Sequence, residues 1–79
     1  MNMNKSQVSF WEPPFDHGTY VTPPTYFWEA CEMKNRLAAD FVAQHGGEII
    51  PSDYSQGGTL YIRRDGQEIA RFEVDYPLC

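Results

Sequence analysis

The sequence predicts an α+β fold: one amphipathic helix packed on a small antiparallel sheet of three strands, or four if an N-terminal segment joins it. Two patterns and one limit lead there. Between residues 24 and 45 apolar side chains recur at helical spacing, and around Asp65-Gly66 two runs rich in β-branched and aromatic residues flank a strong hairpin signal. A chain of 79 residues, 42% hydrophobic and 15% aromatic, buries only roughly 60% of its unfolded surface, so residues 1–79 are read as a single domain.

Residues 1–7 are polar and read as frayed. An aromatic and proline-rich arm follows over 8–22. Residues 8–11 can form a short strand, Pro13 and Pro14 stop it because proline donates no ladder hydrogen bond, and residues 15–20 read as a turn. The stretch 10–29 holds seven of the twelve aromatic residues, and Phe10, Phe15, Tyr20, Tyr26 and Phe27 are the rings expected in the core.

The helix is expected over 24–45. Thr22 or Thr25 can cap it, Pro23 and Pro24 suit a first turn whose amide protons lack partners anyway, and Gly46-Gly47 supplies the C-cap. At 100° per residue, Tyr26, Phe27, Ala30, Cys31, Met33, Leu37, Ala38, Phe41 and Val42 share one apolar arc, which places Cys31 in the core. Glu29, Glu32, Asn35, Arg36 and Asp40 fill the other side. Two residues break the pattern. Lys34 sits in the middle of the apolar arc, where its stem is expected to lie flat while the ammonium reaches water. Trp28 points into the polar arc.

Strands are expected over 47–76. Residues 47–51 allow a short one, 52–58 read as a flexible loop, and the hairpin turns at Asp65-Gly66. A three-residue loop with Gly66 in a bulge gives the better apolar face. It gathers Leu60, Ile62, Ala70, Phe72 and Val74, and leaves Tyr61, Arg63, Ile69, Arg71, Glu73 and Asp75 outward. One helix can cover only one face of such a sheet.

Charge and motifs exclude more than they assign. The net charge is −5, with acidic ends (one Lys against four acids over 1–33, one Arg against four over 65–79) flanking a nearly neutral middle. That balance argues against direct nucleic-acid binding, which rests on Lys and Arg neutralising phosphates. It suits a protein or nucleoprotein partner with a basic surface. Residues 1–7 lack the apolar run of a signal peptide and no stretch approaches the ~18 apolar residues of a membrane span. With two cysteines, Cys31 and Cys79, and no disulfide framework, the expectation is a cytoplasmic protein, in the host cell if phage-encoded.

No cofactor or metal is expected. His17, His45, Cys31 and Cys79 lack metal-ligand spacing, and Gly46-Gly47 and Gly57-Gly58 match neither phosphate-binding loop. Cys31, His17 and His45 are the raw material for an enzyme, and none sits in a catalytic motif. Glu73 and Asp75 read as a salted sheet surface beside Arg71 and Arg63. Pro23-Pro24-Thr25-Tyr26 resembles the Pro-Pro-x-Tyr ligands of WW domains over four residues; the expectation is that its prolines open the helix and Tyr26 packs beneath it.

What remains is a non-catalytic protein-binding module that occludes a macromolecular partner. In size and charge the chain resembles phage- and plasmid-encoded inhibitors of host defence, anti-CRISPR proteins among them. The partner-binding residues expected are Trp28, Glu29 and Glu32 with Trp11, Glu12 and Asp16, an exposed Trp28 being the aromatic anchor. The alternative is a small homodimeric assembly protein that completes its sheet across an edge. A His/Cys metal or hydrolytic protein is the third reading.

Overall fold

A computed structural model describes residues 5–51 and 58–75. The class is α+β: one helix on a six-stranded, wholly antiparallel sheet. The strands are β1 (Lys5–Trp11), β2 (Thr19–Tyr20), β3 (Thr25–Tyr26), β4 (Glu48–Pro51), β5 (Thr59–Arg64) and β6 (Gln67–Asp75), with α1 (Phe27–His45) between β3 and β4. The order is β2-β1-β6-β5-β4, and β3 pairs with the start of β1 beyond β2.

Six strands replace the three or four expected because the N-terminal third pairs more than its composition indicates. Residues 5–7, read as frayed, open β1 and are held on both sides: Gln7 faces Asp75 of β6, while Lys5 and Ser6 face Tyr26 and Thr25 of β3. β2 and β3 together make one interrupted edge. Both pair with β1, Val21 N–H donates to Val8 O, and Thr22 Oγ1 accepts from Val8 N–H at 3.0 Å. Pro23 and Pro24 lie in the interruption rather than in the first turn of the helix.

That pairing delays the helix. Thr25 and Tyr26 stay extended, Tyr26 is the N-cap residue at φ −64°, ψ 150°, and neither expected threonine caps it. Thr25 Oγ1 instead donates to the Glu29 carboxylate at 2.6 Å, fixing an acid in the first turn where the helix dipole favours it. The other end is closed as expected. Gly46, at φ 79°, donates its N–H to Val42 O, and Arg64 Nη1 donates to His45 O at 2.6 Å.

The helix buries a stripe four residues apart, Ala30, Lys34 and Ala38, against Val8, Ile62, Ala70 and Phe72. Small side chains at both ends of that stripe suit a close approach of helix to sheet. Phe10, Phe41 and Phe72 complete the core with ring centroids 5.0 to 6.1 Å apart, the tilted geometries that aromatic quadrupoles prefer. Five residues depart from expectation here. Cys31 is half-exposed rather than buried, Tyr20 and Tyr26 are exposed rather than core, and Phe15 lies half-buried against Arg71, outside the core cluster. Lys34 is only 5% exposed; its ammonium donates to Gly58 O at 3.2 Å instead of reaching water.

The hairpin reaches the expected apolar face by another route. Asp65 and Gly66 form a two-residue turn, both at positive φ (56° and 81°), between paired Arg64 and Gln67. The extra residue sits inside β6: Ile62 faces Ala70 but Arg63 faces Glu68, so Ile69 is bulged. The bulge turns Ile69 onto the core, not outward, and puts Glu68 on the outer face with Arg71.

Two glycines separate backbone from packing effects. Gly66 has nothing near a would-be Cβ, whereas at Gly47 (φ 105°) that carbon would stand 2.7 Å from the Arg63 carbonyl oxygen. Gly66→Ala is expected to cost about 1 kcal/mol from the left-handed backbone alone. Gly47→Ala should cost clearly more, because the β4–β5 contact must also open. Urea unfolding of the two variants side by side measures the difference.

Candidate functional site

The sheet has an inner face under α1 and an outer face that no helix among the described residues covers. Residues opposite one another in an antiparallel pair share a face. The register therefore places Tyr26 and Lys5 together on the outer face, then Gln7 and Asp75, then Tyr20, Ser9, Glu73 and Thr59 in a row, and finally Trp11, Arg71, Tyr61 and Ile50.

One end of this face is a packed cluster built by the 12–18 loop. Phe15 N–H donates to Glu12 O, closing a turn across the cis Pro13-Pro14 bond. The turn carries the Phe15 ring onto Arg71, whose guanidinium carbon lies 4.9 Å from its centroid and 5.1 Å from that of Tyr61. Gly18 lies against the Trp11 indole so closely that a Cβ there would meet the ring at 2.5 Å, and Trp11 Nε1 donates to Ser9 Oγ at 3.0 Å. Trp11 is thus held by its own fold. Arg71 forks onto Glu68 at 3.0 and 3.4 Å, and this hydrogen bonding raises its pKa.

The opposite edge is open. Tyr20 (57% exposed), Val21, Tyr26 (56%) and Trp28 (61%) are four of the five exposed large hydrophobic residues among those described, and all lie within 20–28. Pro23 and Pro24, also exposed, stand between them. The chain bends at Thr22 and Pro24, so the Pro-Pro-x-Tyr segment is not a straight polyproline stretch. Tyr26 carries the Lys5 ammonium 5.3 Å from its ring centroid.

The six expected partner-binding residues fall into two groups. Trp28, Glu29 and Glu32 gather at the start of α1, with Trp28 and Glu32 exposed and Glu29 half-buried on Thr25. Trp11, Glu12 and Asp16 belong to the far end of β1, six residues along the strand from Lys5, or roughly 20 Å at 3.3 Å per residue. Glu12 and Asp16 line a cleft of about 200 Å³ with Pro13, Pro14, His17 and Phe10. Asp16 and His17 pair there at 3.1 Å, both well exposed. Tyr20 and Tyr26 were missed as surface residues; alternation along an edge strand could have found them, had β2 and β3 been visible as strands.

The groups considered for catalysis do not converge. Cys31 and His45 lie on one helix fourteen residues apart, roughly 21 Å at 1.5 Å per residue. The His45 ring stacks on Phe41, centroids 4.4 Å apart. Among the described residues no group of three or more His, Cys, Asp or Glu side chains could hold a metal ion, and no helix is long and apolar enough to cross a membrane. Cys79 and the 52–57 loop lie outside the described residues.

No protein-family model, curated protein or solved structure matches the chain.

Burial lowers the Lys34 pKa below its ordinary 10.5, with a smaller opposing effect from Cys31. A folded-state pKa below the unfolded one means the charged lysine opposes folding at neutral pH, and the penalty fades as pH rises towards 10.5. Wild-type stability is therefore expected to rise relative to Lys34→Met as pH passes through the lowered Lys34 pKa, and to level off above 10.5. Chemical denaturation from pH 7 to 11 checks the sign.

Proposed function

We propose that this chain is a small non-catalytic protein-binding module that occludes a surface of a basic protein or nucleoprotein partner, as phage- or plasmid-encoded inhibitors of host defence such as anti-CRISPR proteins do. One observation carries the reading: four of the five exposed large hydrophobic residues among those described fall in the nine residues 20–28, from the edge strand β2 to the first turn of α1. A domain of 79 residues has little apolar surface to spare, and exposed Trp and Tyr are the side chains that dominate interface energetics. Pro23 and Pro24 interrupt the edge between β2 and β3, which favours contact through side chains over strand addition there. The acids beside the strip, Glu29 and Glu32, and the net charge of −5 favour a basic partner and speed its encounter.

Trp28 is the anchor. Its indole is mostly in solvent, so Trp28→Ala is expected to leave stability within about 0.5 kcal/mol. Affinity capture from the native host with wild type and Trp28→Ala in parallel should recover a basic protein that the variant loses. Adding wild type to that purified protein should block its activity, and adding Trp28→Ala should not. An unfolded variant, or equal capture by both, overturns the assignment.

A homodimer is the second reading, and β4 supports it. Among the described residues no strand pairs with its outer edge, and Ile49 is exposed on it. Ile69 and Tyr61, both expected outward, cannot report on such a contact, since Ile69 packs on the core and Tyr61 lies under Arg71. Ile49→Lys would then convert a dimer to a monomer in sedimentation; a wild-type chain already monomeric removes this reading.

A further inference from the structure

We infer that the uncovered outer face of the sheet, between Tyr20 and Arg71, receives an extended basic segment of the protein partner, one Arg or Lys of which sits on Glu73 and Asp75. The inference rests on the protein-binding reading above and names the chemistry of its partner.

The face is built from unequal rows. Ser9 and Thr59 flank Glu73 on the neighbouring strands, and Gln7 faces Asp75, with its amide turned away to donate to Thr22 O at 3.0 Å. Ser9 is itself closed over, 2% exposed with its hydroxyl under the Trp11 indole N–H, so the open ground beside the two carboxylates lies on the Thr59 and Gln7 sides. The walls are taller: Tyr20 at the edge, and the Trp11, Arg71 and Tyr61 row at the other end. Apart from the 12–18 loop at that end, no described element packs against this face.

Charge selects the occupant. Arg71 commits its two short hydrogen bonds to Glu68 and comes no closer than 4.0 Å to Glu73. Among the described residues no cation is within ion-pair reach of Asp75. Burial raises the Glu73 pKa, the neighbouring Asp75 adds to it, and Arg71 offsets only part. A cation placed between the two carboxylates cancels their repulsion and offsets the cost of burial by direct attraction, and the Tyr20 ring supplies a face for its alkyl stem or guanidinium. A partner strand is also the shape that fits, since side chains two apart along it would meet successive rows of the sheet.

The test is a titration of isotope-labelled protein with an eight-residue peptide alternating Arg and Ser, followed by amide chemical shifts, with a Glu-Ser peptide as control. Shifts should centre on Ser9, Tyr20, Thr59 and Glu73, and the Glu-Ser peptide should produce none there. The double variant Glu73→Gln/Asp75→Asn should weaken binding at least tenfold. Asp40→Asn/Asp65→Asn, at two exposed acids away from both surfaces, changes net charge equally and should alter it less than threefold. Shifts centred on the start of α1, or equal losses in the two double variants, overturn the inference. The two proposals fail separately. A captured partner lost in Trp28→Ala but held equally by wild type and Glu73→Gln/Asp75→Asn leaves the binding module standing and removes the basic segment from the sheet face.

Discussion

One extra residue in β6 decides which side of the sheet is core. With a two-residue turn and no bulge, Leu60 and Ile62 would share a face with Ile69, and Ala70, Phe72 and Val74 would point the other way. The bulge at Ile69 reverses this for the rest of the strand. It brings Ala70 opposite Ile62 and Phe72 opposite Leu60, and through Phe72 it sets Phe10 of β1 and Phe41 of α1 around one ring cluster. Everything inward depends on that offset.

The outward side depends on it as well. Glu68 and Arg71 are three apart, a spacing that in a regular strand puts side chains on opposite faces. The bulge brings them to the same face, where they form a forked ion pair. Arg71, so engaged and held between the Phe15 and Tyr61 rings, is a weak counter-charge for Glu73. The same irregularity that assembles the core thus leaves two carboxylates on the open face short of a cation. The Arg71–Glu68 pair is itself only a quarter exposed, so the bulge ties the outer face together as well as the core.

Coverage explains the rest of the surface. A 19-residue helix spans one face of the sheet, and its buried stripe includes a lysine whose ammonium donates to the Gly58 carbonyl. Even Ser6, 1% exposed, has a hydroxyl without a hydrogen-bond partner among the described residues. Such a core spends its apolar side chains where strands and helix meet, yet Tyr20, Val21, Tyr26 and Trp28 remain outside. Exposed aromatic residues from the edge strands to the first turn of α1 are the physical basis for proposing this chain as a binding module.

The helix, its C-terminal glycines, the Asp65-Gly66 turn and the apolar side of the hairpin were legible in the sequence because each rests on local chemistry: period, cap or turn residue. The anomaly at Trp28 was legible too, since a single helical wheel exposes it. Tertiary structure decided the remainder. Lys5, Ser6 and Gln7 have no strand signal of their own and become β1 only because β6 and β3 supply ladders on either side. Tyr26, assigned to the helix by its spacing, is kept extended by that same pairing, and with Tyr20 is turned to the surface. Lys34 is buried with its ammonium on the carbonyl of Gly58, twenty-four residues away, and Ile69 is turned inward by a bulge that no composition marks. Period and turn chemistry act within a few residues; which ladder a residue joins, and so which face it shows, is set by partners as distant as Gln7 and Asp75.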